Sequence, residues 1–216
     1  MPSTLVHLAV GGLVAAGLLG AAFDKRALAL CLAAAALPDV DTFIGLWVPG
    51  GHRAVLHTLL LPAVLGAALV VDERRNQRLR ERYGARGVVV AGAALGALTF
   101  GGIGPDLFTN GVNAFYPLHD QFYKLSGEAL LSNQRGFVQT FVELSQGGSG
   151  GGGGGGGTSA AVGSTEEVHY RTGVDVERGS DPKNVERTFP LVMSGTELLL
   201  VLTSAVVVGS RLLRER

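Results

Sequence analysis

Cysteine, tryptophan and net charge are what this chain has least of. Among 216 residues there is one cysteine, Cys31, and one tryptophan, and the acidic and basic residues balance to zero. One cysteine excludes an intrachain disulfide and any Cys-type structural zinc site. Cys31 lies in an apolar run and reads as helix filling. Neutrality, with no basic domain beyond one loop, argues against a nucleic-acid partner. The first apolar run has no basic stretch ahead of it and no clear small-residue cleavage site, so a retained helix is expected. Three intramembrane hydrolase signatures are also missing. They are a GxSx nucleophile with a helix-borne histidine, a paired-glutamate prenyl-protease motif, and the KxxxxxxRP pattern of lipid-phosphate phosphatases.

What is present is apolar length. The chain is 47% hydrophobic and 17% charged. Five segments reach the roughly 18 apolar residues that a spanning helix needs: Leu5–Phe23, Ala27–Val48, Ala54–Val71, Gly87–Gly104 and Phe189–Ser210. Alanine, glycine, leucine and valine dominate them, which suits close helix packing in lipid. The expected fold class is all-α, a polytopic membrane bundle of about five transmembrane helices with a glycine-rich flexible outer loop. Residues 1–145 would form the bundle with its polar site, 146–188 a flexible extramembrane segment, and 189–216 the last helix and a basic tail.

Basic residues orient the bundle. Lys25 and Arg26, the six arginines between Arg74 and Arg86, and Arg211, Arg214 and Arg216 fall on one side of a five-span alternation. That side is expected to be cytoplasmic. A multi-pass plasma-membrane protein with lipid neighbours follows, its protein partners unspecified. Outside the bundle, Phe122–Leu144 can form an amphipathic surface helix. Gly147–Gly157 reads as a linker, and Thr158–Arg187 as poorly ordered.

One apolar run is interrupted by acids. Leu37-Pro38-Asp39-Val40-Asp41 places two carboxylates at membrane depth, with Asp39 about 18 Å beyond Ala27 along a helix. Intramembrane acids are expensive and usually face a partner, a cavity or an ion. On a regular helix these two would point about 200° apart, but Pro38 can break the helix so that both turn inward. With the topology above, His7, His52, His57, Asp106 and His119 fall in the same leaflet, with Asn110, Asn113 and Asp120 close by. The inner half of the bundle receives almost no polar side chains. Glu197, inside the last segment, calls for a polar neighbour, and His169 is expected to be solvated.

Imidazole and carboxylate together suit a divalent metal ion, zinc first, with manganese or iron(II) as alternatives. The candidate metal ligands are His7, Asp39, Asp41, His52, His57, Asp106 and His119. A metal there would lower the pKa of a bound water. The candidate catalytic residues are Asp39, Asp41 and Arg53, the last suited to a phosphate by its planar fork of donors.

The stretches MPSTLVHL, LPDVD, HRAVLHT, and DLFTNGVN followed by FYPL resemble, in order and spacing, the membrane-bound metal-dependent hydrolase family of YdjM-type inner-membrane proteins. The resemblance covers about residues 1–123. It implies a divalent-metal site and kinship with zinc-dependent phospholipases and nucleases, with His7, Asp39, Asp41, His52, His57 and Asp106 matching the polar signature. Where that pattern has a histidine four residues before the last aspartate, this chain has Gly102. The expected function is a metal-dependent hydrolase acting on a phosphoester or lipid substrate near the outer leaflet. A non-catalytic membrane protein with a degenerate site, or an ion or proton transporter, is the alternative.

Overall fold

The computed structural model describes residues 3–48, 50–127, 129–134, 136–139, 160–177 and 183–215. It is mostly helical. Helix α1 spans Thr4–Leu18, α2 Lys25–Ala36, α3 Asp41–Ile44, α4 Leu60–Val71, α5 Arg78–Gly96, α6 Gly104–Thr109 and α7 Gly195–Arg214. Ser3 caps α1 by accepting from the Val6 N–H, and Asp24 caps α2 through Ala27. At α7, Ser194 accepts from Glu197 N–H while the Glu197 carboxylate accepts from Met193 N–H, a near relative of the capping box. That is the polar neighbour Glu197 required.

Two helical stretches are long and apolar enough to cross a membrane, Arg78–Thr109 and Gly195–Arg214. A third crossing arises if Lys25–Ala36 and Pro38–Ile44, bent by 44°, act as one broken span. The count is therefore two to three, not clearly five. The two segments that fall short have identifiable reasons. The first helix stops at Leu18, where a 3-10 turn over Gly20–Ala22 begins with Gly20 at φ 51°. The third starts only at Leu60, because the residues before it fold around the Asp41 carboxylate.

Small residues set the packing. A core of Ala15, Ala16, Leu19, Phe23, Ala27, Leu28, Cys31, Ala35, Ala93 and Ala97 joins α1, α2 and α5. A methyl group built on Gly11 would come within 2.5 Å of the Ala35 methyl, and one on Gly101 within 2.8 Å of the Gly11 backbone. Such approaches are how helices associate in lipid, where hydrophobic burial cannot drive them together. Helix α7 is tied to α1 by the Ser204 hydroxyl donating to the Ala9 carbonyl at 2.8 Å.

The helices run up and down, and their two ends differ in chemistry. At one end Arg86 pairs with Asp24 at 2.5 Å. There Arg211 also donates to the carbonyls of Ala16 and Gly20 and stacks on Phe23. At the other end lie the start of α1, the break after α2, the start of α4 and the end of α6.

Beyond α6 the expected surface helix over Phe122–Leu144 is replaced, where described, by strands. β1 (Phe122–Lys124) pairs antiparallel with β4 (Ala160–Gly163), and β2 (Ala129–Ser132) with β3 (Gly136–Gln139). Gly136, at φ 67°, suits a turn and not a helix, and Tyr123 exchanges backbone hydrogen bonds with Val112. The expected linker Gly147–Gly157 lies outside the described residues. Part of the segment expected to be poorly ordered is tied down: Asp120 accepts from both the N–H and the hydroxyl of Thr165.

Candidate metal centre

Four elements bring their polar residues to one point. His7 comes from the second turn of α1, Asp39 from the 3-10 turn Pro38–Val40, His57 from the loop before α4, and Asp106 from α6. His7, His57 and Asp106 are buried, and Asp39 is half-buried. His7, Asp39 and Asp106 each offer a ligand atom, all within 4.8 Å of one another, a group that can hold a metal ion. His7 Nε2 stands 3.6 Å from Asp39 Oδ1 and 3.4 Å from Asp106 Oδ2. His57 Nε2 stands 2.9 Å from Asp106 Oδ2 and 4.0 Å from Asp39 Oδ1.

The other ring nitrogens decide what those Nε2 atoms are. His7 Nδ1 lies 2.8 Å from the Gly101 carbonyl, which can only accept, so the proton is on Nδ1. Gly101 sits in the π-wound stretch Ala97–Ile103, and Pro105, four residues on, has no N–H to offer it. Asp41 does the same for two rings at once: its Oδ1 accepts from His52 Nδ1 at 2.8 Å and its Oδ2 from His57 Nδ1 at 2.9 Å. His7 and His52 thus present an Nε2 lone pair, whereas His57 has a carboxylate oxygen 2.9 Å from each ring nitrogen, Asp41 at Nδ1 and Asp106 at Nε2. The Nε2 atoms of His7 and His52 are buried without a hydrogen-bond partner among the described residues.

The 2.9 Å approach of His57 Nε2 to Asp106 Oδ2 needs a proton or a metal ion between the two atoms.

Asp41 is fully buried and also accepts from the backbone N–H groups of Arg53 (3.0 Å) and Leu56 (3.3 Å). Its oxygens are occupied behind the histidines, so it orients ligands and does not face the shared point. Pro38 does break the helix as the sequence suggests, and it lets the two acids serve one site from different sides.

Arg53 is 1% exposed. Its Nη2 pairs with Asp106 Oδ1 at 2.6 Å, and its guanidinium lies 4.7 Å from the centre of the Tyr170 ring. Its backbone is left-handed, φ 63°, a conformation that a non-glycine residue keeps only where its surroundings enforce it. Asp41 accepts its N–H and Asn113 donates to its carbonyl.

His119 is not in the cluster; it is exposed, beside Tyr123. His52 meets Asp41 but lies outside the compact group. His169, expected in solvent, is half-buried, 3.8 Å from Asp175. Sequence reasoning missed Tyr170, whose hydroxyl donates to the Asn110 carbonyl and whose pKa is pushed up by burial. A lone tyrosine beyond a glycine run carries no signal of such a contact. Gly101, acting through its carbonyl, is visible only through the proline at 105.

The family model for YdjM inner membrane protein matches residues 1–162. The chain belongs to this family. It is thus an inner-membrane protein, in keeping with its two or more candidate spans. No curated protein and no solved structure matches.

Proposed function

We propose that this YdjM-family chain is a membrane-embedded, metal-dependent hydrolase of phosphoesters, with His7, His57, Asp39 and Asp106 as ligands. The observation that carries the reading is the buried His7 Nε2 lone pair, fixed by the Gly101 carbonyl at Nδ1, converging with the Asp39 and Asp106 carboxylates within 4.8 Å. Zinc, manganese or iron(II) suits these donors. When bound, such an ion acts as a Lewis acid and lowers the pKa of water.

The protein's own groups supply the rest. Among the described residues Arg53 has no hydrogen-bond partner at Nε and Nη1 and can receive phosphoryl oxygens through them. Asp39, the least buried of the three acids, can accept a proton at its carboxylate. His52 Nε2 is a second free acceptor, and Asp41 acts by positioning. The finer topology belongs to the same proposal: α1 and α4 complete five crossings as short helices, with the site at the outer face.

Gly102 favours a second reading, a metal-binding protein that no longer turns over, since the pattern's histidine is absent there. An ion relay has less support, because the buried cluster that joins α1, α2 and α5 is apolar, Leu28, Cys31, Ala35 and Ala97 among it.

Metal analysis of protein purified without chelators tests the proposal. A stoichiometric divalent ion is expected, lost in Asp106→Asn. Protein that stays metal-free after reconstitution overturns it, and bound metal without phosphoester turnover selects the second reading.

A further inference from the structure

Beside the cluster lies a cavity of about 1190 Å³. Asp39, His52 and Arg53 form part of its lining, so the metal group and the cavity share a wall. A second guanidinium, Arg171, also lines it, with Glu186 as a further acid. Most of the remaining lining is apolar: Leu5 of α1, Val40 and Phe43 at the broken helix, and Phe189 and Leu191 opposite them in sequence. Several of these side chains are exposed, Phe43 at 51% and Leu191 at 69%.

Two features point to one kind of ligand. Arg53 is nine-tenths buried or more, yet among the described residues two of its donors have no hydrogen-bond partner, a condition that an anionic oxygen relieves. The apolar wall beside it has nothing to do for a small soluble phosphoester, whereas a hydrocarbon chain would cover it. The wall is also built from two parts of the chain. Leu5, Val40 and Phe43 lie within the family match at residues 1–162, while Arg171, Phe189 and Leu191 lie beyond it.

We propose that this cavity binds one amphiphilic phosphoester of the lipid class, its phosphate at Arg53 and Arg171 and its hydrocarbon chain between Phe43 and Leu191. This inference rests on the metal-dependent phosphoester reading. It adds that residues after 162 select the substrate by its chain.

The test uses the full-length protein loaded with zinc, in nanodiscs of fixed composition. Binding of inorganic phosphate, ethyl phosphate, octyl phosphate and dodecyl phosphate is compared by calorimetry. Affinity should climb with chain length, by up to about fourfold per methylene buried. In a Phe43→Asn/Leu191→Asn double variant the climb should flatten, with zinc content and thermal unfolding measured on the same sample to show that it folds. Equal affinities for all four probes overturn the proposal. So does a variant that keeps the wild-type slope, since the gradient then belongs to the bilayer. Zinc bound with no slope removes the cavity proposal alone. A slope that survives in protein unable to bind zinc supports the cavity and removes the metal reading.

Discussion

Asp41 is the residue on which the most geometry depends. One buried carboxylate orients two imidazoles and two backbone N–H groups, so four separate donors register on a single side chain. Partners that hold a ligand ring in place are worth 10- to 100-fold in metal affinity in comparable sites, on the order of what is expected here. Asp41→Asn should therefore weaken zinc binding by about that factor without abolishing it, read by competition with a chelator of known affinity. Abolition, or no change, would assign Asp41 a different role. The contrast with Asp106→Asn separates a residue that orients ligands from one that contacts the ion.

At the scale of elements, the site depends on how closely α1, α2 and the π-wound stretch can approach. A Cβ on Gly102 would lie 2.8 Å from both the Ala35 carbonyl oxygen and Pro38 Cγ. Glycine at 102 is thus needed for the packing around the break, and this arrangement leaves no room for the histidine that the sequence pattern leads one to expect. Gly102→Ala should lower stability by about 1–3 kcal/mol, the usual range for overpacking a tight interior. Thermal unfolding in detergent reads it, and an unchanged melting temperature would mean that α2 can move away. Any such movement also shifts Asp39, so metal affinity should fall in step.

At the scale of the whole molecule, polarity is divided between two ends. His7, Asp39, His57 and Asp106 gather at one, while Arg86 and Arg211 cap the other. If the basic end is cytoplasmic, a cysteine at position 118, 81% exposed and on the site side, should react with a membrane-impermeant maleimide in cells with a permeabilised outer envelope. A cysteine at Arg214 should stay protected until the inner membrane is opened. The reverse pattern would invert the orientation. Native Cys31 is buried and provides the background control.

Much of this was legible in the sequence. Acids in an apolar run, histidines spaced to meet them and a proline just before the acids pointed to a polar site and to a break in the helix there. The reason is energetic: lipid tolerates such groups only in each other's company. Tertiary structure alone decided the division of labour. Asp39 and Asp41 are two residues apart and chemically identical, yet one faces the shared point and the other stands behind two histidines. That difference follows from which backbone N–H groups and rings surround each carboxylate, and no spacing rule carries it. The same holds for Tyr170 under Arg53, for the loop that delays α4 to Leu60, and for a helix count set by where the chain turns to reach a buried charge and not by apolar length.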